Sequence, residues 1–286
     1  MKISVIIPTF NRKQTLARAI DSVLKQTHPP LEIIVIDDGS TDGTSDWIKS
    51  NYPTIIFLEP FKGSKPLKGF STKGVSATRN AGIKVAKGDW IALLDSDDEW
   101  FSDKLAKQGQ ALKENSEFLF CHTNEIWIRN GIRVNQMKKH QKYGGHIFEK
   151  CLDICRISPS SSLFSKSILD EVGLFDENLK VCEDYDLWLR ITAKYSVLFL
   201  DEPLINKYGG HEDQLSKTPE GIEQYRIQSL EKILKTVSLS NSDYQPAKKM
   251  LIHKLQIFAN GLKRRDKVDE FKIVQKKIQD WNCITI

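Results

Sequence analysis

Residues 90–98 read Trp-Ile-Ala-Leu-Leu-Asp-Ser-Asp-Asp, or WIALLDSDD. Trp90–Leu94 carries no charge, and the next four residues carry three carboxylates. An unbroken apolar run of this length suits a strand buried on both faces. The same unit recurs upstream. Ile3–Ile7 is apolar but for Ser4 and is followed by Pro8-Thr9-Phe10-Asn11-Arg12. Glu32–Asp37 (EIIVID) is followed by Asp38-Gly39-Ser40, and Ile55–Leu58 forms a further short run. Helical patterns lie between them. Arg12–Gln26 spaces Leu16, Ala19, Ile20, Val23 and Leu24 along one helix face. Asp42–Ser50 follows Thr41 as a candidate cap. Val75–Ala86 is closed by Gly88. Residues 60–74, rich in Gly, Lys, Pro and Ser, read as a loop.

Strand–helix alternation implies right-handed crossovers and an α/β fold whose mixed, mainly parallel sheet is flanked by helices. Ligands of such sheets bind at the carboxyl ends of strands. Three polar clusters fall there together: Pro8–Arg12, Asp37–Ser40 and Asp95–Asp98. The second half is less regular. Phe118–Thr123, Glu125–Ile128 and Ile132–Val134 read as strands around a turn at Asn130-Gly131. Helices are expected at 146–155, 166–172 and 184–194, and a strand at Val197–Leu200 leads to Tyr208-Gly209-Gly210-His211. From about residue 218 the pattern is helical: Leu251, Leu255, Phe258 and Leu262 share one face, and Val268, Phe271, Val274 and Ile278 another. The expected organisation is a domain over 1–217 and a helical C-terminal appendage over 218–286.

Composition narrows the class. Hydrophobic residues make up 40% of 286, enough for a core and too many for a disordered chain. No apolar run reaches the length of a transmembrane helix, and Met1–Val5 lacks the features of a signal peptide. Five scattered cysteines without a Cys-x-x-Cys pair argue against a zinc site and for a reduced, cytoplasmic protein. Residues 221–286 hold 13 Lys+Arg against 7 Asp+Glu, whereas the body is close to neutral. A basic tail points to a partner of its own.

Asp95, Asp97 and Asp98 offer hard oxygen ligands on a turn, which suit Mg²⁺ or Mn²⁺. A solvated turn capping the next helix is the competing reading. Asp38 can accept a hydrogen bond from a base or ribose and Arg12 can face phosphate, although Asp-Gly turns use the same residues. A dinucleotide dehydrogenase is disfavoured because no Gly-x-Gly-x-x-Gly follows the first strand, and a P-loop NTPase because no Gly-Lys-Ser/Thr loop exists. A sugar nucleotidyltransferase would want glycines within Pro8–Arg12. Nucleic-acid binding lacks a recognised module.

Taken in order, PTFNR (8–12), VIDDGSTDGT (35–44), GVSATRNAGIKVAKGDWIALLDSDD (74–98) and EDYDLWLR (183–190) resemble family-2 glycosyltransferases of the GT-A fold. The likeness covers roughly residues 1–215. It implies a nucleotide-binding half over 1–100 and an acceptor-binding half over 101–217. Pro8, Thr9, Phe10, Asn11, Arg12 and Asp38 would hold a nucleoside, most often uridine. Arg79 and Asn80 would face the sugar nucleotide, and Lys73 would reach phosphate. Asp95 would serve ribose and metal, Asp97 would bind the metal (Mn²⁺ or Mg²⁺), and Asp98 and His211 are further candidate ligands. Asp184, with Glu183 beside it, matches the catalytic base, which takes a proton from the acceptor hydroxyl as it attacks opposite the departing diphosphate. Acids in the first turn of a helix also complement its dipole, which is the plainer reading of 183–186. Membrane spans and a Gln-x-x-Arg-Trp motif, marks of processive relatives, are absent from the sequence.

The expectation is a metal-dependent inverting transferase. It would move a sugar from a nucleotide-sugar donor to a carbohydrate or lipid-linked acceptor in bacterial-type cell-surface polysaccharide or glycoconjugate synthesis. An inactive sugar-nucleotide-binding scaffold is the alternative. The basic C-terminal helices suggest peripheral contact with the inner face of a membrane; a dimer interface and a solvated face stay open.

Overall fold

The computed structural model describes residues 1–61, 63, 73–210 and 221–284. The first hundred residues form β1 (Ile3–Thr9), α1 (Lys13–Leu24), β2 (Glu32–Asp37), α2 (Thr44–Asn51), β3 (Ile56–Leu58), α3 (Val75–Val85) and β4 (Trp90–Leu93). β1 lies parallel between β2 and β4, with Val5 opposite Ile33 and Ala92. β3 extends the parallel array beyond β2.

The apolar runs are buried on both faces, as their composition demands. Ile3, Val5, Ile7, Ile33, Val35 and Ala92 pack with Leu16, Ala19, Ile20 and Val23 of α1 and Ile48 of α2. The alternate residues Ile6, Ile34, Ile36, Ile91 and Leu93 pack with Ile83 of α3 on the opposite face. Each such side chain contributes roughly 1.5–3 kcal/mol by leaving water. Gly82 sets how closely α3 approaches: a Cβ there would lie 2.6 Å from Ile36 Cδ1 and 2.8 Å from Ile6 Cγ2. A larger residue there would force the Ile36 and Ile6 side chains to give way or α3 to shift.

The chain continues through β5 (Glu99–Trp100), α4 (Lys104–Glu114), β6 (Phe120–Arg129), β7 (Ile132–Val134), α5 (Phe148–Cys151), β8 (Leu163–Ser165), α6 (Ile168–Val172), α7 (Glu183–Thr192) and β9 (Leu198–Gly209). The strand order is β3-β2-β1-β4-β8-β6-β9-β5, with β7 paired to β6. β8 joins β4 and β6 antiparallel, and β9 runs parallel to β6. The fold is mixed α/β, parallel in its first half.

Four details differ from the sequence expectations. β6 is one strand rather than two, because the irregularity at Asn124 is absorbed as a shift in its pairing with β9. Within the helix expected over 146–155, only Phe148–Cys151 is helical. β8 has three residues, too few for a pattern. α4 escaped notice because polar Lys104 and Gln108 occupy its buried face beside Leu105 and Leu112.

Lys104 is unusual. Its Nζ donates to Gln108 Oε1 at 2.7 Å and lies 4.0 Å from the centre of the Trp100 ring. Burial pulls its pKa down to about 7, against a small opposing pull from Cys121. The unfolded chain therefore holds the extra proton between about pH 7 and 10.5, so stability rises with pH across that window. Lys104→Met is expected to raise the melting temperature, most below pH 7, with the gain fading towards pH 10. Thermal melts of both proteins at pH 6 and 9.5 check this.

Three helices close the chain: α8 (Glu223–Thr236), α9 (Asn241–Arg264) and α10 (Val268–Cys283). Their Leu230, Ile233, Leu251, Leu255, Leu262 and Ile278 belong to the same apolar cluster as Ile6 and Ile34 of the sheet. Lys232 of α8 bonds Asp176 and Asp186 of the body at 2.7 and 3.1 Å. The expected boundary near 217 falls outside the described residues. Among those described, no helix is long and apolar enough to cross a membrane.

Candidate active site

The carboxyl ends of β1 and β2 are adjacent, with Thr9 paired to Asp37. The loops that follow are tied together. Asn11 N–H donates to Ser40 Oγ at 2.7 Å, and Thr41 N–H donates to Asn11 Oδ1 at 2.8 Å. Asn11 adopts φ 51°, a left-handed conformation that Asn tolerates better than most residues. Asp37 anchors Ser40 through its hydroxyl (2.5 Å) and backbone N–H (3.1 Å), while burial raises the Asp37 pKa. Asp38 reaches across to α3: its carboxylate accepts the N–H groups of Lys73 (3.0 Å) and Gly74 (2.7 Å). Pro8 is buried within β1, and Phe10 and Arg12 are half-buried at the rim. Two hydroxyls in this corner, Thr9 Oγ1 and Ser76 Oγ at the start of α3, are buried without a hydrogen-bond partner among the described residues.

Arg79, one helical turn into α3 and 3% exposed, is the hub. Its Nη2 lies 2.7 Å from Asp95 Oδ1 and its Nη1 2.6 Å from Glu183 Oε1. One guanidinium thus joins acids 88 residues apart in the chain. Its neighbour Asn80 does something else. The Asn80 amide donates to Phe175 O (2.9 Å) and Glu177 Oε1 (2.8 Å), and accepts Phe175 N–H (3.1 Å). Asn80, for which the resemblance implies a place facing the sugar nucleotide, shapes the 175–177 loop in this structure.

The turn after β4 separates its carboxylates by role. Asp98 is 2% exposed; Oδ2 accepts Ser160 Oγ–H at 2.6 Å and Oδ1 accepts Tyr208 N–H at 3.0 Å. Burial, with Asp97 and Asp95 nearby, raises its pKa well above the carboxylate range. Both Asp98 oxygens accept hydrogen bonds. This residue holds the turn. Asp95 and Asp97 stay partly exposed. Arg18 braces the turn from below: its Nη2 donates to Asp97 O at 2.5 Å while its guanidinium stacks 3.6 Å from the Tyr208 ring centre. Two partly exposed carboxylates on a braced turn fit a hard divalent cation that takes its remaining oxygens from phosphate and water. His211 lies outside the described residues.

Lys207 supplies positive charge beneath this cluster. Burial alone would lower its pKa, but Glu125, Asp98 and Asp95 raise it, so the ammonium persists. It donates to Ser158 Oγ at 2.8 Å. On the far side of Arg79 stands the amino-terminus of α7. Cys182 at its cap takes φ 63°, a strained value for a side chain of this kind. Glu183 is buried on Arg79; burial first, then Asp184, raise its pKa against the pull of Arg79. Asp184 is more open. Its Oδ1 accepts Tyr185 N–H (2.7 Å) and its Oδ2 accepts the Cys155 thiol (3.3 Å).

Sequence reading missed Ser160, Lys207, Arg18 and Cys155. The run Ser158-Pro159-Ser160-Ser161-Ser162 was a usable signal. All five residues are buried, which polar residues do only with partners.

Comparison with known proteins decides the family. The model of glycosyl transferase family 2 matches residues 4–173. The chain belongs to that family. An uncharacterized glycosyltransferase of Rickettsia conorii is 38% identical to the family-2 chain over 205 residues, 71% of this chain and 32% of the relative. The chain thus spans about a third of the length of that relative. The Escherichia coli protein WfaP, a UDP-Glc:alpha-D-GlcNAc-diphosphoundecaprenol beta-1,3-glucosyltransferase, is 31% identical over 194 residues, 67% of this chain and 70% of WfaP. Among solved structures, Staphylococcus aureus TarS 1–349 in complex with UDP-GlcNAc superposes with a TM-score of 0.65 at 22% identity, covering 89% of this chain and 72% of TarS 1–349. The mannosyltransferase PcManGT of Pyrobaculum calidifontis, solved with GDP-Man and Mn²⁺, gives 0.63 at 15% identity, covering 98% of this chain and 84% of the other. These two likenesses establish the GT-A architecture of the family-2 chain.

Proposed function

We propose that this family-2 transferase moves a glycosyl group from a UDP-sugar to a hydroxyl of a lipid-linked saccharide, with inversion and with the help of a divalent cation. The observation that carries the reading is the Arg79 bridge between Asp95 and Glu183. It sets a donor-side acid pair and an acceptor-side carboxylate around one buried cation. WfaP uses UDP-Glc and a diphosphoundecaprenol acceptor, which supports both substrate classes.

In this reading the nucleoside lies across the ends of β1 and β2, where Thr9 Oγ1 and Ser76 Oγ can take up hydrogen bonds. Asp95 and Asp97 would hold Mn²⁺ or Mg²⁺, which neutralises the leaving diphosphate. Asp184 accepts the acceptor hydroxyl proton. The freed oxygen attacks the anomeric carbon as the bond to the diphosphate oxygen breaks on the opposite face. A single displacement inverts that carbon. Asp98, Ser160 and Arg18 keep the acid turn in place, and Lys207 limits repulsion among its carboxylates.

Incubation with UDP-sugars and a polyprenyl-diphosphate saccharide, with and without Mn²⁺, tests the proposal; a retained anomeric configuration or a cation-independent rate would overturn it. Asp97→Ala is expected to abolish cation-dependent UDP binding while leaving the melting temperature near that of the parent, since Asp97 is half-exposed. Titration calorimetry of UDP with Mn²⁺ giving unchanged affinity would exclude Asp97 as a ligand.

A further inference from the structure

From Tyr244 to Arg265 the sequence contains no Asp or Glu, yet it holds Lys248, Lys249, His253, Lys254, Lys263, Arg264 and Arg265. That stretch is nearly the whole of α9. One face of the helix is buried through Leu251, Leu255, Ala259 and Leu262. Lys254 sits at the edge of that face and is accounted for: its Nζ donates to Asp153 O and Glu223 Oε2, both at 2.9 Å. The opposite face carries Lys249, His253, Lys263 and Arg264, all exposed. Among the described residues, Lys249, Lys263 and Arg264 make no ion pair. Solvated surfaces usually intersperse charges of both signs; this stripe does not.

Two further features share the face. A groove of about 430 Å³ lies against α9 and the end of α10. Apart from Ile252, it is lined by Lys248, Lys249, His253, Gln245, Gln256 and Asn282, donors of the kind that phosphate oxygens take, with no carboxylate among its lining residues. Along α9 stands Ile257, 52% exposed beside His253 and Arg264 at helical spacing, and α10, packed against α9, carries Ile273 at 62%. Cations interleaved with aliphatic residues on an amphipathic helix fit the headgroup region of an anionic bilayer. Single-stranded nucleic acid would call for aromatic residues to stack on, and the exposed large apolar residues of α9 and α10 are all aliphatic.

We propose that the outward face of α9 docks the protein on an anionic lipid surface, with lipid phosphates entering the groove at Lys248, Lys249 and His253. The inference goes beyond the catalytic reading and does not depend on it. The two meet in the fold all the same. The buried side of α9 bonds Asp153 through Lys254, and Cys155, two residues on, bonds Asp184. A bilayer against α9 would therefore lie one helix thickness behind the loop that braces the acceptor-side carboxylate.

Co-sedimentation of the full chain with vesicles tests this. Binding to phosphatidylcholine mixed with phosphatidylglycerol, absent with phosphatidylcholine alone and weakened by added salt, is the expected result. The triple variant Lys249→Glu, Lys263→Glu, Arg264→Glu should bind the mixed vesicles roughly a hundredfold more weakly, with its thermal melt and its UDP binding unchanged. If that variant does not fold, the corresponding triple Gln variant should still lose most of the binding. Equal sedimentation with both vesicle types would overturn the proposal. So would full binding by a folded triple variant, tighter binding to single-stranded RNA than to vesicles, or a dimer in solution that the triple variant dissociates.

Discussion

Asp184→Asn is expected to lower glycosyl transfer by roughly 10²–10⁴-fold, the usual contribution of a positioned general base, while UDP binding with Mn²⁺ stays at the parental affinity. The amide keeps the shape of the side chain. It can still accept Tyr185 N–H through its oxygen, as Asp184 Oδ1 does at 2.7 Å. What it cannot do is hold a proton taken from a hydroxyl. Glu183 is a poor substitute despite its adjacency, because it is buried and 2.6 Å from Arg79. Its oxygen already balances a guanidinium. Single-turnover transfer and calorimetry on the same preparation separate chemistry from binding. Parental turnover by the variant would remove Asp184 from the base role and return attention to Glu183.

Arg79→Met is expected to damage stability and donor binding together. Removing one partner of a buried ion pair typically costs about 3–5 kcal/mol, since the other charge is left without compensation. Here two carboxylates, Asp95 and Glu183, lose the same partner. Arg79 is almost completely buried, so solvent offers little screening. The direction with pH follows. Glu183 already has a raised pKa, and loss of Arg79 raises it further. A carboxylate with a raised folded pKa favours the fold when protonated and disfavours it as pH climbs. The deficit of the variant should therefore shrink as pH falls from 8 to 5. Arg79→Lys should recover part of the stability and little of the donor affinity, because one ammonium cannot span both acids as a planar fork does. Chemical denaturation across pH, with UDP binding at pH 7.5, checks both expectations. A deficit that grows on acidification would place the stabilising role of Arg79 elsewhere.

The parallel half of the fold was legible because its strands are buried on both faces. Ile3–Ile7, Glu32–Asp37 and Trp90–Leu94 had to read as largely apolar runs; the one polar residue inside them, Ser4, is buried because its hydroxyl is hydrogen-bonded to Glu32 and the Gly88 N–H. The acid turn at 95–98 and the loops after β1 and β2 were therefore visible as a set. β8 and α4 were not, for opposite reasons. β8 is three residues long. α4 hides Lys104 and Gln108 among its buried residues, so its apolar periodicity is diluted.

The candidate site divides along the same line. Sequence alone determined which carboxylates, amides and guanidiniums lie at strand ends and helix starts, because local backbone geometry is written in short-range pattern. It could not determine which of them face one another. Asp95, Asp97 and Asp98 all read as candidate metal ligands, yet Ser160 and the Tyr208 N–H, 62 and 110 residues away, hold Asp98, whereas Arg79 holds Asp95. Arg79 and Asn80 are consecutive, yet one bridges the two acidic clusters and the other anchors the 175–177 loop. Such roles are fixed by contacts between distant segments, and only the packing of α3 and α7 against the sheet brings those segments within hydrogen-bonding distance.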